Sequence, residues 1–243
     1  MKKLFLLLII LLASNAYGNQ IDEWTRQLES PQGESFELKA ENFKSKYINY
    51  DFSKLLMPKS DFLGYIGPNY KRIKIYFQSI NRIKPYTYYV KGESVTNGNK
   101  CNFEGQIIIK QIREYEKMHF GCDDEFKDRG FKAQGLLLGE YKFEENKGQK
   151  HSGIFTGIMR LFWFIDKNGH IQYDDIQKES SDYYNNNQYI GEWREFGKNV
   201  IKTCNWGEYR IPLSGDLDNG AGEFGVNPKY YNQGWDDFEI KRR

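Results

Sequence analysis

The run Cys204–Gly225, CNWGEYRIPLSGDLDNGAGEFG, gathers a thiol, an indole, a guanidinium and several carboxylates into one glycine-rich stretch. A calcium loop is the first chemistry to weigh. Asp216 and Asp218 fall at positions one and three of a twelve-residue calcium loop, but position six is Ala221 and position twelve is Asn227. An EF-hand needs glycine and glutamate there. A looser oxygen site from Asp216, Asp218 and Glu223 is the metal candidate that survives. The bland reading is a loop whose aspartates bond their own backbone.

Nucleophilic and metal chemistry have thinner support. No G-x-S-x-G elbow occurs, and Ser152 and Ser214 sit in ordinary turn contexts. Cys122 follows His119 by three residues, a spacing that turns the two side chains apart in a strand or turn. His119, His151 and His170 lack the spacing of a zinc motif, and no C-x-x-C is present. No cofactor fingerprint stands out, so no catalytic residue and no cofactor are expected. The pairs Asp123-Asp124, Asp174-Asp175 and Asp236-Asp237 bring a glycosidase to mind, but adjacent residues in a strand face opposite ways. Surface turns explain them more simply.

Aromatic residues make up 16% of the chain, with eighteen tyrosines. Strands favour such residues for packing alone. Trp163, Trp193 and Phe162 lie inside apolar strand patterns and read as core. Trp206, Tyr209, Arg210 and Trp235 lie in or beside the last loops and are the candidate binding residues.

The elements that position these groups follow from periodicity. Residues 1–18 read as a signal peptide: Lys2 and Lys3, the apolar run Leu4–Leu12, then Ala16 and Gly18 at a cleavage-type spacing. Nine apolar residues are too few to span a bilayer. The expectation is a secreted or periplasmic protein with no membrane span once the leader is removed. Removal takes away two lysines and brings the formal charge from +2 to about zero, and no basic block remains to bind nucleic acid. Export permits a disulfide, and among Cys101, Cys122 and Cys204 the favoured pair is Cys101–Cys204, on the shared contexts KCNFEG and TCNWGE, with Cys101–Cys122 as the alternative.

Residues 19–60 read as an N-terminal helical or irregular arm. Ile21, Trp24 and Leu28 have helical spacing, and FELKAENFKSKY suggests a second short helix. MPKSDFLGYIGP carries turn signals. Residues 61–243 read as one β domain with a long C-terminal loop segment. From Arg72 the period becomes two, as in RIKIYFQSI, and Asn97-Gly98 and Gly197-Lys198-Asn199 are hairpin loops. Eight or nine strands with short connections predict an antiparallel meander barrel of about eight strands, calycin-like, with a two-sheet sandwich as the alternative. A glycine recurs between apolar residues at 105, 135, 157 and 191, each near the start of a predicted strand, where the sheet is expected to bend.

The segments DFLGYIGPNYKRIKIYF, YVKGESVTNGNKCNFEGQIII and TCNWGEYRIP…GDLDNGAGEFGVNPKY resemble a group of uncharacterised secreted bacterial proteins, a resemblance that carries no assigned activity. The G-x-W of Gly191-Glu192-Trp193 is also similar to the lipocalin motif, though it falls near the last strand rather than on the first. The expected function is non-enzymatic binding of a small ligand or another protein. The alternatives are a carbohydrate-binding or carbohydrate-active protein, and an envelope immunity or inhibitor-type protein.

Overall fold

The computed structural model describes residues 37–238 except 177, 179, 180 and 182. The leader and the helical pattern around Trp24 lie outside the described residues. Nine strands form one antiparallel sheet: β1 Leu63–Ile66, β2 Lys71–Lys84, β3 Thr87–Thr96, β4 Asn99–Glu114, β5 Ala133–Glu145, β6 Gly153–Ile165, β7 Ile171–Tyr173, β8 Asn186–Glu195 and β9 Ile201–Glu208. Their order is β5-β4-β3-β2-β1-β9-β8-β6-β7, and β5 also pairs with β6. The sheet therefore closes into a ring of eight strands, with β7 as a short extra strand beyond β8 on the edge of β6. The ring is not a regular barrel. A closed ring excludes the sandwich and leaves β2 to β9 with few open edges.

The period-two patterns set the phase. Ile73, Ile75 and Phe77 of β2, Tyr88 and Val90 of β3, Tyr141 and Phe143 of β5 and Phe155, Met159, Leu161 and Trp163 of β6 all point into one core. Asn97 and Gly98 both adopt positive φ, at 51° and 78°, and make the tight β3–β4 turn. Bulges fall between Phe77 and Ser79 and between Ile109 and Gln111, where the register shifts as the strands coil.

Two elements differ from expectation. The segment Leu63–Ile66, read from sequence as turn, is a strand that pairs with both β2 and β9. Four residues are too few to display a period, so only pairing on both sides makes it a strand. The segment around Ala40, read as a helix, is irregular. β4 outruns β3, whose first residue Thr87 pairs with Ile108. The uncovered edge of β4 takes up the arm instead: Lys39 N donates to Glu114 O at 2.8 Å, Phe43 N to Ile112 O at 2.8 Å, and Ile112 N to Asn42 Oδ1 at 3.1 Å. A short isolated helix is marginal, and these edge bonds outcompete it. The arm's only helix among the described residues is α1, Ser53–Leu56.

The arm plugs one end of the ring. Tyr47, Phe52, Leu55 and Leu56 belong to the core. Phe52 N donates to Tyr88 Oη at 3.1 Å, and Asn187 Nδ2 donates to Leu56 O at 3.1 Å. The C-terminal segment packs instead on the outside of β1, where Tyr65, Ile211, Leu217, Phe224, Val226 and Trp235 form a second cluster.

The expected disulfide is absent: Cys101, Cys122 and Cys204 are all free thiols. Cys101 lies on β4 and Cys204 on β9, separated by three strands in either direction around the ring. With that much sheet between them they are not at disulfide distance. Cys122 is exposed in a connection outside the ring. Three of the recurring glycines, 105, 157 and 191, also sit in mid-strand rather than at strand starts. Gly157 and Gly191 are paired with each other, and close packing requires glycine at the pair. A Cβ on Gly191 would lie 2.1 Å from Thr156 O and 2.6 Å from Tyr141 Oη.

Two outcomes follow. Gly191→Ala should cost about 1–3 kcal/mol, as overpacking does, whereas Gly148→Ala, whose Cβ meets only Asn146 Oδ1 at 3.3 Å, should cost little; denaturant melts that coincide would refute the close-packing argument. Alkylation of the denatured, non-reduced protein should label Cys101, Cys122 and Cys204 alike, as read by mass spectrometry.

Candidate functional site

The expected binding residues do not form a common surface. Trp206 is fully buried and stacks on Tyr189 with ring centroids 5.0 Å apart and planes at 11°. Its position on β9 shares the inward phase of Cys204. Trp235 is fully buried in the outer cluster, with Nε1 donating to Tyr70 O at 2.8 Å. Tyr209 is half-buried against Tyr184, with centroids 4.8 Å apart. Arg210 pairs with Asp218 at 2.6 Å and donates to Gly222 O at 2.5 Å. It pins the glycine-rich loop.

The carboxylates of that loop are turned to different partners. Asp218 Oδ1 accepts from Gly220 N and Gly225 N, both at 3.1 Å. Asp216 takes Lys229 and, at 2.7 Å, Tyr230 Oη, and those donors hold its carboxyl below the usual range. Among the described residues no three of His, Cys, Asp or Glu gather as a metal site. The loop's crowding is the crowding of turns that satisfy themselves.

The site with room for chemistry lies at the end of the ring opposite the α1 plug. The β1–β2, β3–β4, β5–β6 and β8–β9 turns surround a cavity of about 600 Å³. Ile73, Phe155 and Trp193 supply its apolar floor, and Ser94 and Glu145 its polar one. The rim carries Lys71, Lys150, His151, Lys202 and Glu195. Drug-sized ligand sites have this volume.

Glu145 is the centre of the floor and is only 4% exposed. It ends β5 in the same inward phase as Tyr141 and Phe143, at a level where the ring is no longer filled. Ser94 Oγ donates to its Oε1, while Gly153 N and Trp193 Nε1 donate to Oε2 at 2.7 and 2.9 Å. A Cβ on Gly153 would lie 2.7 Å from the Trp193 ring, so glycine there lets the indole lie against the β6 backbone. Burial pushes the Glu145 carboxyl up, against these three donors. Among the described residues no lysine, arginine or histidine pairs with it.

The rim is differently balanced. Glu195 accepts from Lys198 and from His151 Nδ1 at 3.3 Å, and the Lys198 bond, offset in part by burial, keeps its carboxyl low. Lys71, Lys150 and Lys202 form no ion pair among the described residues. Lys202 Nζ lies 5.2 Å from the Trp193 ring. The mouth therefore offers positive charge above a buried acid.

The sequence marks none of these residues as a site: Trp193 reads as core, His151 lacks ligand spacing, and Glu145 reads as part of a turn. The signal was present in the phase: a strand whose alternate residues are Tyr141 and Phe143 next places Glu145 inside. Ser94 follows Tyr88 and Val90 in the same way.

The closed end carries buried acids that have structural work, among them Glu208 and Asp174. Glu208 accepts from Lys59 N at 2.7 Å, Ser60 N at 2.8 Å, Tyr173 Oη at 3.0 Å and Asn187 Nδ2 at 3.1 Å, and so ties the plug to β9. Asp174, read from sequence as a surface-turn residue, is buried beside Gln134, whose Nε2 donates at 2.8 Å. Its neighbour Asp175 is exposed and pairs with Lys59 at 3.0 Å. Burial lifts Asp174 to about 6 and pushes Glu208 up in the same direction.

No family model, curated protein or solved structure matches the chain. The functional reading rests on the geometry of the cup. No described helix is long and apolar enough to cross a membrane.

Folding favours the protonated form of Asp174, because its folded value lies above the unfolded one. Its contribution is complete below about pH 4 and is lost as pH rises through about 6. Asp174→Asn should therefore gain about 3 kcal/mol on the wild type between pH 4 and pH 7. Denaturant midpoints measured across that range check it; a difference that does not change with pH would show that Asp174 is not titrating as a buried acid.

Proposed function

We propose that this is a non-enzymatic binding protein that takes a small ligand into the open end of its ring, after export to the periplasm or the cell exterior. One observation carries the reading: the interior is packed solid beneath the arm, while the other end keeps a cavity of about 600 Å³ floored by Glu145, Ser94 and Trp193. A ring needs plugging at both ends to bury its core, and among the described residues only one end has a plug. Leaving the other as a cup favours a ligand over a purely structural role.

The carbohydrate alternative required a groove lined by Trp206, Tyr209 or Trp235 with carboxylates facing across it. The two indoles are buried in separate clusters, which disfavours that form of it. The inhibitor alternative has no specific support in the surface. The apolar leader supports export, and the free thiols do not oppose it, since two of the three are buried.

A fragment library screened by saturation-transfer NMR tests the cup. Ligands of the wild type should be lost in Thr96→Trp, which fills the cavity wall, and retained in Ile83→Trp, an exposed site at the plugged end. Binding that survives Thr96→Trp, or a library without a single hit, would overturn the reading.

A further inference from the structure

The cup separates its charges. Glu145 is a buried carboxylate with three donors and, among the described residues, no cation. A carboxylate offers about four lone-pair sites, so one acceptor position stays open, on the Oε1 side where only Ser94 Oγ donates. A buried charge without a counter-ion is costly, and nothing on the strands beside it supplies one. Its neighbours in the floor are Phe155 and Trp193, whose ring faces also attract cations. At the mouth the imbalance is reversed. Among the described residues Lys71, Lys150 and Lys202 are exposed and outside any ion pair, and the one rim carboxylate, Glu195, is already held by Lys198 and His151.

We infer that the ligand of the cup is a small zwitterion, whose ammonium group reaches Glu145 in the floor and whose anionic group stays among Lys71, Lys150 and Lys202 at the rim, with a short apolar body against Ile73 and Phe155. This rests on the cup being a ligand site. The ammonium donates to the open lone pair of Glu145 and replaces the missing counter-charge, which strengthens the bond because the floor excludes water. The anionic group meets the rim lysines in solvent, where it contributes less to affinity and more to orientation and capture. A purely anionic ligand would bring its charge toward Glu145, and a purely cationic one would have to pass the lysines.

Calorimetric titration with 6-aminohexanoate, hexylamine and hexanoate tests this. The zwitterion should bind the wild-type chain at least about tenfold more tightly than either relative, the equivalent of about 1.4 kcal/mol. Glu145→Gln should abolish its advantage over hexanoate. The triple variant Lys71→Ala, Lys150→Ala, Lys202→Ala, confined to exposed side chains, should abolish its advantage over hexylamine. The wild-type comparison needs no variant to fold: hexanoate or hexylamine binding within twofold of 6-aminohexanoate overturns the inference. If none of the three binds while library fragments occupy the cup, the zwitterion is wrong and the ligand site stands. If the fragments also fail, both readings fall.

Discussion

The four residues of β1, Leu63–Ile66, hold the architecture together, because they alone join β2 to β9. Without that short strand the sheet would run from β2 round to β9 with two long edges exposed, a hazard for any β protein. The strand is held by very close packing. A Cβ on Gly64 would lie 2.9 Å from that of Trp206 and 3.2 Å from Ile73 O, so glycine brings the neighbouring strands together over the core. On its outer face Tyr65 anchors the C-terminal segment, accepting from Asn205 Nδ2 at 2.9 Å and donating to Leu213 O at 3.0 Å. The long glycine-rich run is thus part of the closure. It covers the shortest strand of the ring, and its arginine and aspartates lock it in that position.

Closing the ring creates an interior that has to be filled, and the filling is uneven. At one end the arm inserts Tyr47, Phe52, Leu55 and Leu56. It is fixed there through Glu208 and through Glu114, which accepts from Tyr47 Oη at 2.7 Å and Lys39 Nζ at 3.0 Å. Burial works against the Glu114 charge, but these donors together with Lys46 overcome it and hold the carboxyl below its ordinary range. At the other end the aromatic layers stop at Phe155 and Trp193, and the next inward positions are Ser94 and Glu145. The same alternation that packs the core therefore floors the cup. Glu145 differs from Glu114 in having donors but, among the described residues, no cation, and it fastens no segment of the arm.

Much of the fold could be read from the chain. The alternation of Ile73, Ile75 and Phe77 and the Asn97-Gly98 turn both describe local geometry that the tertiary structure retains. The errors share one cause. From sequence alone β1 reads as turn and the segment around Ala40 as helix, because the bonds that decide them come from strands distant in sequence. The disulfide reading failed for the same reason. Similar local contexts at Cys101 and Cys204 carry no information about which side of a ring each strand will occupy.

What the sequence determined by itself was the β class, the meander of short connections and the inward face of each long strand, since period-two patterning and turn chemistry act over a few residues. It also determined that Cys204–Gly225 lacks the positions of an EF-hand. Only the tertiary structure decided that Trp206 and Trp235 are buried in different clusters, that Arg210 serves the loop, and that the candidate site lies among Ser94, Glu145, Trp193 and three lysines from separate turns. Ring closure brings those residues together across long stretches of chain. The direction a side chain faces can be read from its neighbours, but the company it keeps there depends on which strands meet.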